Sequence, residues 1–257
     1  MTNLPALVAV FLFGLITGSF LNVCIYRLPR SRSIVYPGSM CTQCQNAIPW
    51  YDNIPVFSYI LLGGKCRVCR TPISFRYPMI EILSGLMASA LFLKFGLSPE
   101  TLIYFVFTST LLVVTFIDID HRIIPDGISL PGIAVFFIAS FFLPGMTWLD
   151  SITGILAGGG ALFAIAWGYT AVTKKEGMGG GDIKLLAMIG AAIGWKGVIF
   201  TIFVSSTAGS LIGIIVMLLS DKNMKMAIPF GPFLSIGAMA HIFFGPELIS
   251  WYFTLLQ

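Results

Sequence analysis

Charge is what this chain has least of. Asp, Glu, Lys and Arg together make up 10% of its 257 residues, against about 25% in soluble domains. Hydrophobic residues make up 57%. This excludes a soluble enzyme with an ordinary charged surface, and with it a nucleic-acid partner read from the net charge of +4, because the basic residues sit between apolar runs. Internal repeats and low-complexity segments are missing. So are a basic n-region before the first apolar run and a small-residue cleavage pattern after it, so that run is expected to be a retained span and not a signal peptide. Cysteine is sparse too, five in all, and four of the five fall in one polar stretch.

Apolar runs of nearly 20 residues recur along the length, which predicts an all-α polytopic membrane protein with about eight transmembrane helices. The expected spans are 4–26, 79–96, 101–118, 128–144, 150–172, 183–195, 197–219 and 230–246. The sixth is short and glycine-rich, so a break or partial insertion is expected there. The tail beyond 246, with Trp251 and Tyr252, suits the membrane interface. Placing the N-terminus outside puts every one of the 15 Lys and Arg residues except Lys94 and Lys196 on the inner side, the asymmetry of a cytoplasmic face. The expected division is a first span at 1–26, a cytoplasmic four-cysteine loop at 27–77 and a membrane domain at 78–257.

That loop holds Cys41-Thr-Gln-Cys44 and, after 21 further residues, Cys66-Arg-Val-Cys69. Two such knuckles resemble a zinc ribbon, since each turns two thiolates towards one point and four close a tetrahedral shell around Zn²⁺. A closed shell makes the metal structural and not catalytic. Lys65, Arg67 and Arg70 lie beside the second knuckle and are expected to offset thiolate charge. The competing arrangement is two disulfides, disfavoured in a reducing compartment. Cys24, inside the first span, is expected to be a buried free thiol.

Carboxylates at a membrane edge are costly and mark functional points. Phe116-Ile-Asp-Ile-Asp-His-Arg-Ile-Ile-Pro-Asp126 packs three of them into nine residues. Gly177-Met-Gly-Gly-Gly-Asp-Ile-Lys184 sets Asp182 at the head of another apolar run, 64 positions beyond Asp118. Two carboxylates that share a site hold one proton between them, so one can take a proton from water while the other donates to a carbonyl oxygen. Gly179, Gly180 and Gly181 would let an extended peptide come close. The same pair would also serve an ion or proton pathway in a transporter or channel. Asp120 reads as a solvated charge, Asp126 as a helix cap after Pro125, His121 as an interfacial loop residue and His241 as packed.

These motifs together resemble the type IV prepilin peptidases, the leader peptidase/N-methyltransferases. Gly179-x-Gly181-Asp182 is similar to the Gly-x-Gly-Asp motif of intramembrane aspartyl proteases. Asp118 opens the family's other aspartate motif, and Gly18-Ser-Phe-Leu-Asn-Val-Cys-Ile-Tyr-Arg-Leu-Pro29 resembles its N-terminal signature. The knuckles, with Ile54-Pro-Val-Phe-Ser-Tyr59, Gly63-Gly-Lys-Cys66 and Arg76-Tyr-Pro78, are similar to its cytoplasmic loop, and Ile228-Pro-Phe-Gly-Pro232 to a late loop. The resemblance implies a bacterial inner-membrane enzyme with its active site at the cytoplasmic face. Its substrates would be prepilins or type II secretion pseudopilins, cut by Asp118 and Asp182 and then N-methylated from S-adenosylmethionine. A structural zinc on Cys41, Cys44, Cys66 and Cys69 goes with it. No Rossmann glycine fingerprint marks the methyl donor's site; Gly64, before the second knuckle, and Glu81, just inside the second span, are the candidates. Glu81 could equally be a structural partner of a nearby Arg or Lys.

Overall fold

A computed structural model describes residues 4–174, 179–219 and 229–255. Lys175, Lys222 and Lys225, counted above among the inner-side charges, lie outside the described residues, as do Gly177, Met178 and Ile228 of the motifs. The described chain is helical: α1 Leu4–Arg27, α2 Phe57–Leu61, α3 Arg76–Phe95, α4 Pro99–His121, α5 Asp126–Ala139, α6 Trp148–Thr173, α7 Gly180–Leu219 and α8 Gly231–Leu255. Among the described residues five helices, α1, α3, α4, α6 and α7, are long and apolar enough to cross a membrane, and α5 with the turn after it is a shorter apolar helix.

Each expected span coincides with a helix, with two differences. Spans 183–195 and 197–219 are the two halves of α7. They meet at Gly194, whose φ of 71° and ψ of 178° break the helix; only glycine takes that backbone conformation without strain. The last helix does not end at 246: α8 runs on to Leu255 through Pro246.

The chain divides into two compact units, residues 1–109 and 110–257, with the boundary inside α4. In the first unit α1 packs on α3 with almost no side chain between them. A Cβ on Gly14 would lie 2.7 Å from Gly85 Cα, and one on Gly18 would lie 2.6 Å from Glu81 Cα. Small residues four apart are how membrane helices bring their backbones together, since lipid supplies no hydrophobic drive between them. The loop between these helices is tied down at both ends. The buried Arg27 guanidinium donates to the carbonyls of Ser33 (3.0 Å) and Gly38 (2.9 Å). Asn22 Nδ2 donates to Tyr77 O at 3.1 Å.

In the second unit α6 and α7 use the same device. Cβ atoms on Gly154 or Gly190 would collide with the other glycine's carbonyl, and one on Gly158 with that of Leu186. Ser151 Oγ, fully buried, donates to Ala191 O at 2.8 Å, satisfying a hydroxyl that would be costly unpaired. Thr147 and Asp150 form a capping box at the start of α6, closing its free amides. His241 on α8 packs edge-on against Phe200 at 5.4 Å, as its apolar setting predicts.

Candidate active site

The site in the second unit is built where α4 ends and where α7 and α8 begin. α4 stops at Arg122, which takes a left-handed φ of 55° and donates its N–H to Asp118 O at 2.8 Å. Asp118 thus lies in the last turn, and its side chain is 5% exposed. Its Oδ2 accepts the Gly231 N–H at 3.0 Å, one of the unpaired amides at the start of α8. Asp182 lies in the first turn of α7, and the residues beside it meet the segment that follows Asp118: Gly181 packs on Ile124, and Lys184 holds Asp126. The two aspartates singled out in the sequence are therefore carried by adjoining segments, at the end of α4 and the start of α7.

The three glycines differ in what surrounds them. Among the described residues a Cβ on Gly179 or Gly180 would meet nothing within 4 Å. Gly181 is not open: its Cβ would lie 3.0 Å from Ile124 Cβ, so the chain after α4 packs on it. Asp126 is not the cap expected from the sequence. Pro125 holds the cap position and Asp126 is the first residue of α5. The Asp126 carboxylate instead accepts both of its hydrogen bonds from Lys184 Nζ, at 2.7 and 2.8 Å. Asp120 and His121 are exposed at the end of α4.

Sequence reasoning missed Gly231 and the partner of Lys184. Gly231 stood in a recognised late motif without a role, and its contact with Asp118 spans 113 positions. A Cβ there would lie 2.7 Å from Asp118 Oδ2, inside van der Waals contact. Gly231→Ala is expected to push the Asp118 carboxyl out of place and cost activity about a hundredfold, the scale of a misplaced reacting group, with the fold retained. Assay of the purified variant alongside its melting curve checks this; wild-type activity would mean that the amide contact is dispensable.

In the first unit the knuckles repeat one hydrogen-bond pattern. Cys41 N donates to Asn46 O (3.0 Å) and Gln45 N to Cys41 O (2.9 Å); Cys66 N donates to Thr71 O (2.9 Å) and Arg70 N to Cys66 O (3.0 Å). Gln45 and Arg70 are both left-handed, at φ of 59° and 60°. All four Sγ atoms lie within 4.8 Å of one another, a set that can hold a metal ion. The closest pairs are 3.8 Å (Cys41–Cys69) and 4.0 Å (Cys44–Cys66), far beyond the ~2.05 Å of a disulfide, so the two-disulfide arrangement does not hold. Thr71, its hydroxyl 3.3 Å from Cys69 Sγ, pushes the Cys69 thiol down to about 6, towards the thiolate that a metal needs. Arg67 is not directed at the thiolates. It forms a bidentate pair with Asp52 at 2.6 Å, which holds the Asp52 carboxyl below its usual range and ties the second knuckle to the turn at Trp50–Asn53.

Gly64 and Glu81 are both engaged by the loop itself. Gly64 follows Gly63 in a left-handed turn, φ of 58° then 66°, and its Cβ would lie 2.9 Å from Tyr59 Oη. Buried Glu81 accepts the Val56 N–H at 2.7 Å. That partner is a backbone amide and not the Arg or Lys of the alternative reading. Val56 has φ of 61° and ψ of −49°, a strained conformation for a β-branched residue that the Glu81 contact helps to hold. Beside it, a cleft of about 480 Å³ runs from Ile16, Ser19 and Val23 of α1 to Trp50, Asn53 and Pro55 of the loop.

With the geometry of both units in hand, the relatives can be placed. Residues 12–95 match the bacterial peptidase A24 N-terminal domain, and residues 105–214 match the type IV leader peptidase family. The chain belongs to the type IV leader peptidase family. The first match contains all four cysteines and the second both aspartates. Curated relatives named prepilin leader peptidase/N-methyltransferase match nearly end to end. The one from Pseudomonas putida is 35% identical, covering 95% of this chain and 92% of its own length. That from Aeromonas hydrophila is 36% identical, covering 95% and 93%, and that from Pseudomonas aeruginosa is 34% identical, covering 97% and 94%. No solved structure matches the chain significantly.

Proposed function

We propose that this chain is a prepilin leader peptidase and N-methyltransferase of the bacterial inner membrane. It removes the basic leader of type IV prepilins or type II secretion pseudopilins and then methylates the amine it has exposed. The observation that supports the reading is the placing of Asp118 and Asp182, 64 residues apart in the sequence, on adjoining helix ends whose neighbouring residues touch, beside glycine backbone that no described side chain covers. An ion pathway explains neither that glycine backbone nor the four-cysteine loop.

In the peptidase step one aspartate, ionised, takes a proton from a water held between the carboxyls. The water oxygen bonds to the scissile carbonyl carbon, and the other aspartate, protonated, donates its proton to the carbonyl oxygen. The tetrahedral intermediate then collapses: the C–N bond breaks, the proton taken from water goes to the leaving amine, and one hydroxyl of the intermediate returns a proton to the second aspartate as the carbonyl re-forms. Gly231 N–H orients Asp118 throughout by holding Oδ2. Gly179 and Gly180 leave room for the extended backbone that attack on a carbonyl requires.

Orientation follows from the positive-inside argument, with the N-terminus outside and both aspartates at the cytoplasmic face, where a basic leader would arrive. The loop at 27–77 serves the second activity, and the membrane domain at 78–257 the first. Cys41, Cys44, Cys66 and Cys69 fit a structural Zn²⁺, since a tetrahedral ion with Zn–S bonds of about 2.3 Å sets its sulfurs about 3.8 Å apart and the closest pairs here lie at 3.8 and 4.0 Å. S-adenosylmethionine, when bound, supplies the electrophilic methyl group. The cleft lined by Ser19 and Pro55 has the volume for a ligand of that size, and Glu81 holds Val56, the residue after Pro55.

Purified protein incubated with a prepilin is expected to shorten it by its leader and, with the methyl donor present, to add one methyl group to the new N-terminus, both read by mass. The same preparation should carry about one zinc per chain. Replacing Cys41 with Ser should lower that occupancy sharply, with little further loss from a second change in the cluster, because the four ligands act as a unit. An uncut prepilin would remove the peptidase reading; reduced, freshly purified protein free of zinc would remove the metal.

A further inference from the structure

Asp126 and Lys184 lie outside the carboxylate pair, and their contacts bear on how α7 presents Asp182. Among the described residues nothing lies where a Cβ on Gly179 or Gly180 would be, and three successive glycines leave the backbone freer than any other residues would. Two contacts flank Asp182. On one side Gly181 packs against Ile124; on the other the Lys184 ammonium is gripped by both oxygens of Asp126. Ile124 and Asp126 belong to the short segment that leaves α4 just after Asp118. The segment that carries one aspartate therefore clasps the segment that carries the other.

We infer that Asp126 and Lys184 are positioning residues for the peptide-cleaving reaction, forming with the Ile124–Gly181 contact a clasp that holds Asp182 in register with Asp118. Neither side chain touches the reacting atoms. Asp126 is well exposed and Lys184 partly so, at 58% and 37% of their side chains, and a pair so exposed adds little to the stability of a fold. Its effect is on geometry, because a displacement of about 1 Å in a reacting group can cost about a hundredfold in rate.

The inference rests on the reading of Asp118 and Asp182 as the catalytic pair, and the experiment separates the two. Full-length wild type, Asp126→Ala, Lys184→Ala, the double alanine variant, the charge swap Asp126→Lys with Lys184→Asp, and Asp182→Asn are purified together. Steady-state prepilin cleavage and thermal unfolding are measured for each. Each single alanine variant is expected to lose about ten- to a hundredfold in kcat, with KM and melting temperature close to wild type. The double variant should be no worse than the poorer single, because the two act as one unit, and the swap should recover most of the loss. Single variants with wild-type kcat would overturn the clasp. So would losses that multiply in the double variant, or a loss that follows a lowered melting temperature and disappears in a cooler assay. An active Asp182→Asn would instead overturn the catalytic pair, whatever the clasp variants do.

Discussion

Asn in place of either Asp118 or Asp182 is expected to abolish leader cleavage, by at least about a thousandfold, the scale of a lost general acid or base. The substitution keeps size and shape and removes the ability to exchange the proton. At Asp118 it also keeps the contact that places the side chain, since an amide oxygen can accept the Gly231 N–H that Oδ2 accepts now. A loss there reports chemistry and not packing, and both variants should insert and melt like wild type. Asp120→Asn and Asp126→Asn should be far milder. Asp120 is exposed beyond the site, and Asp126 acts only through Lys184. Cleavage should also resist serine-directed inhibitors and chelators, because the step uses only two carboxyls and water. The assay is appearance of mature pilin on a gel or by mass. Normal cleavage by Asp118→Asn with none by Asp120→Asn would transfer the role to the second aspartate of the motif.

How far the sequence reached follows from how local each signal is. Apolar runs are local, and charge is so scarce here that every run stands out, so each long helix was legible, though the short α2 was not and α8 runs nine residues past the expected end. The break in α7 was legible as a short glycine-rich span followed by a new one, because Gly194 is both the breaker and the visible mark of the break. The knuckles were legible because a C-x-x-C turn brings its own two ligands together. Contacts between segments were not. Nothing near Gly231 announces that its amide meets a carboxyl 113 positions earlier. Pro125-Asp126 reads as a cap until Lys184, 58 positions on, takes the carboxylate. Arg67 looked like a counter-charge for thiolates because sequence proximity was the only guide; Asp52, in a turn 15 residues back, takes it. Glu81's structural partner was hidden for a related reason. Its partner is the backbone of Val56, and a valine at positive φ leaves no trace in a side-chain pattern.

Methyl transfer and cleavage are expected to come apart by mutation. The α-amine exists only after the peptide bond has been cut, and it must be neutral to act as a nucleophile; its reference pKa of ~7.7–8.0 leaves a useful neutral fraction near cytoplasmic pH. Its nitrogen lone pair forms the new N–C bond as the methyl–sulfur bond breaks towards sulfur, and the nitrogen then loses a proton. No carboxylate pair is needed for that. The groups that set the loop lie in the first unit: four cysteines whose knuckles share one hydrogen-bond pattern, and Glu81 holding Val56. A loop of this size cannot bury enough apolar surface to fold unaided, so removing the thiolates that could hold a metal should cost it its shape. Paired Cys66→Ser and Cys69→Ser changes should therefore reduce labelled methyl transfer by at least about tenfold, with cleavage reduced far less. Conversely Asp182→Asn, unable to cut, should methylate a pilin supplied already mature at close to the wild-type rate. Both variants are assayed side by side in detergent, with melting curves to confirm the fold. Should well-folded Asp182→Asn leave mature pilin unmethylated, the two reactions share a site and the assignment of methyl transfer to the loop is wrong.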